Sequence, residues 1–166
     1  MNLPLLSKKD KLLFPIVRVD DRLLHGQVVV GWGQTLGLKP VLLASDRVSK
    51  DPALCTTYRG LIPEELCGDV RSLSDVAEQW IRGDFKGTRA MVVVESPVDA
   101  LKLVKLGVPL KSLTLGGLHY REGREELLPY LFLSDWERTT LTELKKHGVK
   151  IVCQDLPVAK PIPYEE

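Results

Sequence analysis

The chain has 166 residues, 44% hydrophobic and 27% charged, with a formal net charge of +1. That suits one domain with a full core, and it argues against a nucleic-acid binder, which needs a basic surplus and more stacking rings than 6% aromatic content supplies. No apolar run is long enough to cross a bilayer, and Lys8, Lys9, Asp10 and Lys11 break up the N-terminal leucines that would otherwise read as a secretion signal.

Short apolar runs alternate with amphipathic segments along the chain. Residues before Leu12 read as a loose extension. Phe14–Val19 is predicted as a strand and Gly26–Thr35 as a helix despite its glycines. Val41–Ala44 is a strand, and Asp51–Gly60 a helix after the cap signals Ser49 and Asp51. Val70–Ser72 is a short strand. Ser74–Ile81 is a helix with Val76, Ala77, Trp80 and Ile81 on one face. Ala90–Val94 is a strand of strong character, and Pro97–Leu106 a helix with proline at its start and Gly107 past its end. Leu113–Leu115 is a strand running into Gly116–Gly117, and Tyr130–Leu133 reads as another. Ser134–His147 is a helix opened by Ser134 and Asp135 and closed by Gly148, and Val149–Cys153 is the last strand. The tail, residues 158–166, is proline-rich and polar and is expected to fray. This βαβ alternation predicts an α/β domain over residues 13–157: a single open, mainly parallel β-sheet with helices on both faces.

Cys55, Cys67 and Cys153 lack C-x-x-C spacing, which argues against a disulfide framework or zinc site and reads as buried free thiols in a reducing cytoplasm. His25, His119 and His147 show no H-x-x-x-H pattern, so a histidine metal site has little support.

In open parallel sheets, ligands bind beyond the C-terminal strand ends. The richest loop there is the first, Asp20–His25. His25 precedes a helix whose free N–H groups and dipole favour an anion, and Gly26 has no side chain to block them. Arg22, and less directly Arg18, can neutralise phosphoryl oxygens. Asp20 or Asp21 can hold one ring nitrogen and leave the other free to attack. Three other readings compete: a structural histidine with surface-paired arginines, a Mg²⁺ site on Asp20 and Asp21, and a non-enzymatic anion-binding domain. Ser96 can touch a phosphate or simply start a helix. Gly116–Gly117 can admit a ligand or form a turn, and Tyr120–Arg121 can line the site or face solvent.

The stretch VRVDDRLLHGQVVVGW resembles the R-[IV]-D-D-R-L-[IL]-H-G-Q-V signature of the IIB component in the mannose/fructose/sorbose family of the bacterial phosphoenolpyruvate:sugar phosphotransferase system. LLASDRVSKDP, VVVESPVDALKLVKLGV, LTLGGLHYREGREEL and HGVKIVCQDLP resemble further family segments, so the likeness runs from about Phe14 to Pro157. The resemblance implies that His25 accepts a phosphoryl group from a phosphohistidine on a separate IIA component and passes it to a sugar entering through the membrane components IIC and IID. It implies a phosphate held by Asp20–Gln27, with Arg22 as charge partner, Ser96 as a second contact and no metal or cofactor. It also implies a cytoplasmic protein, peripheral to the membrane through IIC and IID. A regulatory phosphoprotein of the same fold is the alternative. The chain departs from the family at Arg47, where an acid is usual, and at Leu118, where methionine is common.

Overall fold

The computed structural model describes residues 14–166, so the extension expected at residues 1–12 lies outside the described residues. Seven strands form one sheet in the order β3-β2-β4-β1-β5-β8-β9. β1 (Ile16–Asp20), β2 (Val41–Ala44), β3 (Asp69–Arg71), β4 (Met91–Val94), β5 (Ser112–Gly117) and β8 (Lys150–Cys153) are parallel, and β9 (Ile162–Pro163) joins β8 antiparallel at the edge. The architecture is the expected open, mainly parallel sheet with helices on both faces.

Period-two alternation sorts the core into two layers. Val17, Val19, Val92, Val94, Leu113 and Leu115 pack with α3 (Leu73–Arg82), α4 (Pro97–Lys105) and α5 (Asp135–Lys146). Ile16, Val41, Leu43, Met91 and Val93 pack on the other face with a helix over Gln27–Gln34, α1 (Asp46–Ser49) and α2 (Pro52–Arg59). Every residue of VLLA and MVVV is buried, as strands covered on both sides require.

Serines and Asp51 set most helix starts. Ser72, not Ser74, caps α3 by accepting from the Asp75 N–H, so that helix begins earlier than its apolar stripe indicates. Ser134 and Glu137 close a reciprocal capping box on α5. Two elements carry too little pattern to be read: α1 spans only four residues, and β6 (Glu125–Leu128) is half acidic and forms an antiparallel hairpin with β7 (Leu131–Leu133).

The tail does not fray. β9 pairs with β8, Tyr164 is buried against the core, Lys145 donates to the Glu166 carbonyl, and Arg138 pairs with the Glu166 carboxylate. One apolar ring and two cations on α5 hold a segment whose composition reads as loose. The thiol expectation also needs correction: Cys55 and Cys153 are buried, but Cys67 is exposed. Burial pushes the Cys153 thiol up to about 11, so it stays protonated and inert at neutral pH.

β1 and β5 are neighbours whose chains leave in opposite directions, β1 toward β2 and β5 toward β8. Their C-terminal ends therefore flank a topological switch point, the usual place for a ligand crevice.

Candidate functional site

The chain leaves β1 through a tight turn in which the Leu23 N–H donates to the Asp20 carbonyl and the Arg22 N–H to Asp20 Oδ1. Leu23 has φ of +61°, rare for a side chain of its size, and is almost fully buried. Such a residue stores about 1–3 kcal/mol of strain, here offset by burial of its side chain. The turn brings His25 back over Asp20, with Nε2 at 3.0 Å from Asp20 Oδ2. A carboxylate only accepts, so Nε2 carries the proton and Nδ1 keeps its lone pair. Asp20 is 0% exposed, whereas the His25 side chain is 20% exposed.

Beyond His25 the helix over Gln27–Gln34 is wound wide, with i→i+5 character, and its cap residue Gly26 offers no side-chain hydrogen bond. A Cβ placed on Gly26 would meet nothing within 4 Å, so the approach to the first N–H groups is open. Arg22 is 49% exposed at this rim; its Nη2 donates to Gln27 Oε1 at 3.1 Å and its Nε stands 3.9 Å from Asp20 Oδ1. His25, Arg22, Gly26 and Gln27 are thus brought together.

Arg18 occupies a different position from the one its charge indicates. Its side chain is 0% exposed and spans β5 and β8 rather than facing a phosphate. Nη1 and Nη2 donate to the carbonyls of Gln154 and Asp155, and Nη2 lies 3.6 Å from Asp20 Oδ2. The guanidinium stacks on Trp32 at 4.8 Å from the ring centroid, and Trp32 in turn donates to the Asp155 carbonyl. Burial lowers the Arg18 pKa to about 10 against the pull of Asp20 and Asp155, so it remains a cation at neutral pH. Arg18 therefore acts on His25 only through Asp20.

Gly116 and Gly117 make room for these side chains. A Cβ on Gly116 would fall 2.0 Å from Arg18 Cζ, and one on Gly117 would lie 3.2 Å from Asp20 Oδ2. The β1–β5 register shifts here, pairing Val19 with Leu115 but Asp20 with Gly117, and this bulge seats the arginine.

Asp21 builds a separate assembly. Its carboxylate, 4% exposed, accepts from the His119 N–H, from His119 Nδ1 at 2.6 Å and from Arg124 Nη1 at 2.9 Å. Arg124 also grips Glu137, the capping-box acid of α5. Burial acts to raise the Asp21 carboxyl, but the bonds from His119 and Arg124 outweigh it and hold it below the ordinary aspartate value. With Asp20 and Asp21 committed to different partners, the two cannot chelate one ion. His119 and Arg124 were not singled out from sequence; the repeated pairing of adjacent acids with two later basic residues has no local spacing to betray it.

Ser96 lies at the same edge of the sheet, just past β4, but its hydroxyl accepts the Asp99 N–H as the cap of α4. No contact joins it to His25 among the described residues. Arg47, one of the two departures from the family pattern, pairs with Glu95 at 3.0 Å and ties α1 to the loop after β4.

A family model described as the PTS system sorbose subfamily IIB component matches residues 14–166. The chain is 30% identical over 140 residues to the N-acetylgalactosamine-specific phosphotransferase enzyme IIB component 2 of Escherichia coli (84% of this chain, 88% of that one). It is 25% identical over 142 residues to the PTS system fructose-specific EIIB component of Bacillus subtilis (86% and 87%). The solved IIBSor domain of the sorbose permease from Klebsiella pneumoniae superposes with a TM-score of 0.80 at 26% identity, covering 89% of this chain and 91% of that one.

Proposed function

The chain belongs to the sorbose-type IIB family of the phosphoenolpyruvate:sugar phosphotransferase system, and on that premise we propose that His25 Nδ1 accepts a phosphoryl group from a phosphohistidine on a separate IIA component and hands it to a sugar entering through IIC and IID. The observation that carries this reading is the His25–Asp20 hydrogen bond at 3.0 Å, made by Nε2 to a carboxylate with no solvent exposure. It fixes the tautomer and leaves Nδ1 as the nucleophile.

Nδ1 attacks phosphorus in line, a new P–N bond forms, and the donor's P–N bond breaks with its electron pair returning to the donor imidazole. The phosphorylated ring keeps its Nε2 proton and takes on positive character, which the Asp20 carboxylate balances. Arg18 holds Asp20 in place from below. Arg22 and the open helix N-terminus at Gly26 and Gln27 receive the phosphoryl oxygens as charge redistributes in a loose transition state. Ser96 retains its own hydroxyl proton to donate and is a candidate second contact. In the second step a sugar hydroxyl attacks phosphorus and gives its proton to water, the P–Nδ1 bond breaks, and His25 departs as the neutral imidazole with its Nε2 proton. No helix among the described residues is long and apolar enough to span a membrane, which fits a partner that docks at the cytoplasmic face of IIC and IID.

The test is a reconstituted phosphorelay with phosphoenolpyruvate, enzyme I, HPr and IIA. The wild-type chain is expected to gain one phosphoryl group, labile to acid and stable to base. His25→Ala is expected to gain none while unfolding at the wild-type temperature. Equal labelling of that variant overturns the assignment.

A further inference from the structure

Another acid stands beside the aspartate that holds His25. β1 and β4 run in register from Ile16 against Met91 to Val19 against Val94. The next residues, Asp20 and Glu95, therefore leave the sheet about one strand spacing, roughly 4.8 Å, apart. Alternation puts both on one face. Met91 and Val93 pack in the layer of α1 and the helix over Gln27–Gln34, where Arg18 stacks on Trp32. Asp20 and Glu95 continue those two rows. The contact with α1 agrees, Arg47 Nη2 donating to Glu95 Oε1 at 3.0 Å. β4 also lies between β1 and β2, the two strands that the helix after His25 connects. The Glu95 carboxylate, 30% exposed, thus shares its face and its edge of the sheet with the open helix N-terminus at Gly26, and it directly precedes Ser96.

A carboxylate there opposes an arriving phosphoryl dianion, since a partly exposed charge still acts over about 10 Å at low salt. Arg47 answers that charge, and its backbone is firmly placed. Val48 is fully buried, the Ser45 hydroxyl caps α1, and Asp46 accepts the Leu73 N–H. The Arg47 side chain itself is 57% exposed, so its ion pair adds little to the fold. The neighbouring acids have other commitments. Asp46 is bound to Leu73, and Asp99 lies in the first turn of α4, where a helix N-terminus favours negative charge. The pair therefore draws the Glu95 carboxylate toward α1 and cancels its charge next to the transfer site.

We propose that Arg47 is a positioning residue for phosphoryl transfer, which neutralises Glu95 and holds it against α1 so that a phosphoryl dianion can settle at His25. This rests on the IIB reading and extends it to a residue outside the nucleophile's own loop. Arg47 acts through Glu95 and needs no contact with the phosphoryl group.

A double-mutant cycle on the full chain tests it. Phosphorylation of His25 is timed with phosphorylated IIA and with phosphoramidate, a small donor that needs no docking surface. At low salt Arg47→Gln is expected to slow both reactions by about threefold to tenfold, with unfolding temperature unchanged. Arg47→Lys, which keeps the charge, should restore most of the rate. Glu95→Gln should react at least as fast as wild type, and the double variant Arg47→Gln/Glu95→Gln should return to within about twofold of it. Salt at about 1 M, which shortens the screening length to about 3 Å, should erase most of the Arg47→Gln defect. An Arg47→Gln rate within twofold of wild type at low salt overturns the proposal. So does a double variant as slow as Arg47→Gln alone, or a defect seen with IIA but not with phosphoramidate, which would make Arg47 a docking residue. A wild-type chain that takes no phosphoryl group from either donor defeats the IIB reading itself, and so the two failures are told apart.

Discussion

Asp20 and Asp21 are consecutive residues of the same type, each bonded to a histidine, yet they serve two unlike assemblies. Asp20 continues the alternation of β1 on the face of Arg18 and Trp32, and every polar partner around it is buried except His25 and Arg22. Asp21 engages the loop after β5 and, through Arg124, the first turn of α5. The first assembly presents Nδ1 of a histidine beside an open helix N-terminus; the second presents Nε2 of a histidine on a tied-down loop. The comparison teaches that one acid orients a histidine by being sealed away, while its neighbour organises the rim by bridging separate elements. The physical cause is that Asp20 closes β1, where its side chain keeps the face of Arg18, whereas Asp21 opens the turn and points toward the loop after β5.

Substitutions on each side sharpen that contrast. The largest effect is expected from Asp20→Asn, which keeps the shape but removes the charge beneath His25 and beside Arg18. Transfer should fall by about 10²–10⁴, as when an orienting acid is lost from a histidine dyad, and stability by about 3 kcal/mol as a buried cation loses its counter-charge. Urea unfolding and the reconstituted relay measure both, and a variant that transfers normally would leave Asp20 a purely structural group. Next is Gly116→Ala, which puts a methyl onto the Arg18 guanidinium. About 1–3 kcal/mol of destabilisation is expected in the same urea experiment, with slower transfer following from a displaced Asp20.

On the other side, Asp21→Asn should act more on acid stability than on chemistry. The folded Asp21 carboxyl lies below its ordinary value, so its stabilisation is present above about pH 4 and is lost as pH falls through the folded value. Thermal unfolding from pH 7 to pH 3 should show the variant less stable by about 1–3 kcal/mol at neutral pH, converging on wild type in acid. A constant gap would mean that the carboxylate's ionisation is not what holds the loop. The smallest stability effect belongs to Gly26→Ala. Its backbone is ordinary right-handed helix and its Cβ position is empty, so stability should stay within about 0.5 kcal/mol. The new methyl stands at the open N-terminus, and transfer should slow by about tenfold. A full transfer rate would remove that N-terminus from the reaction.

Much of the architecture could be read directly. MVVV and VLLA are buried on both faces, which only a covered parallel sheet satisfies, and Pro97, Ser134 and Gly148 mark helix ends with local chemistry that acts within a few residues. Where reading failed, the signal was either too short or non-local. Four residues of α1 carry no period, EELL hides a strand behind acids, and Tyr164 anchors the tail through partners on α5 twenty residues away.

The site divides along the same line. Sequence alone picked out the proposed nucleophile, its flanking acids and arginine, and the glycine after it, because these lie within one turn and a helix start, where chemistry and spacing coincide. Only the tertiary structure decided that Arg18 lies buried beneath Asp20, that Gly116 exists to seat it, and that Asp21 reaches across the sheet to His119 and Arg124. Those contacts join residues about a hundred or more positions apart. They are set by strand order and by which face each side chain takes, and neither is written in any local stretch of the chain.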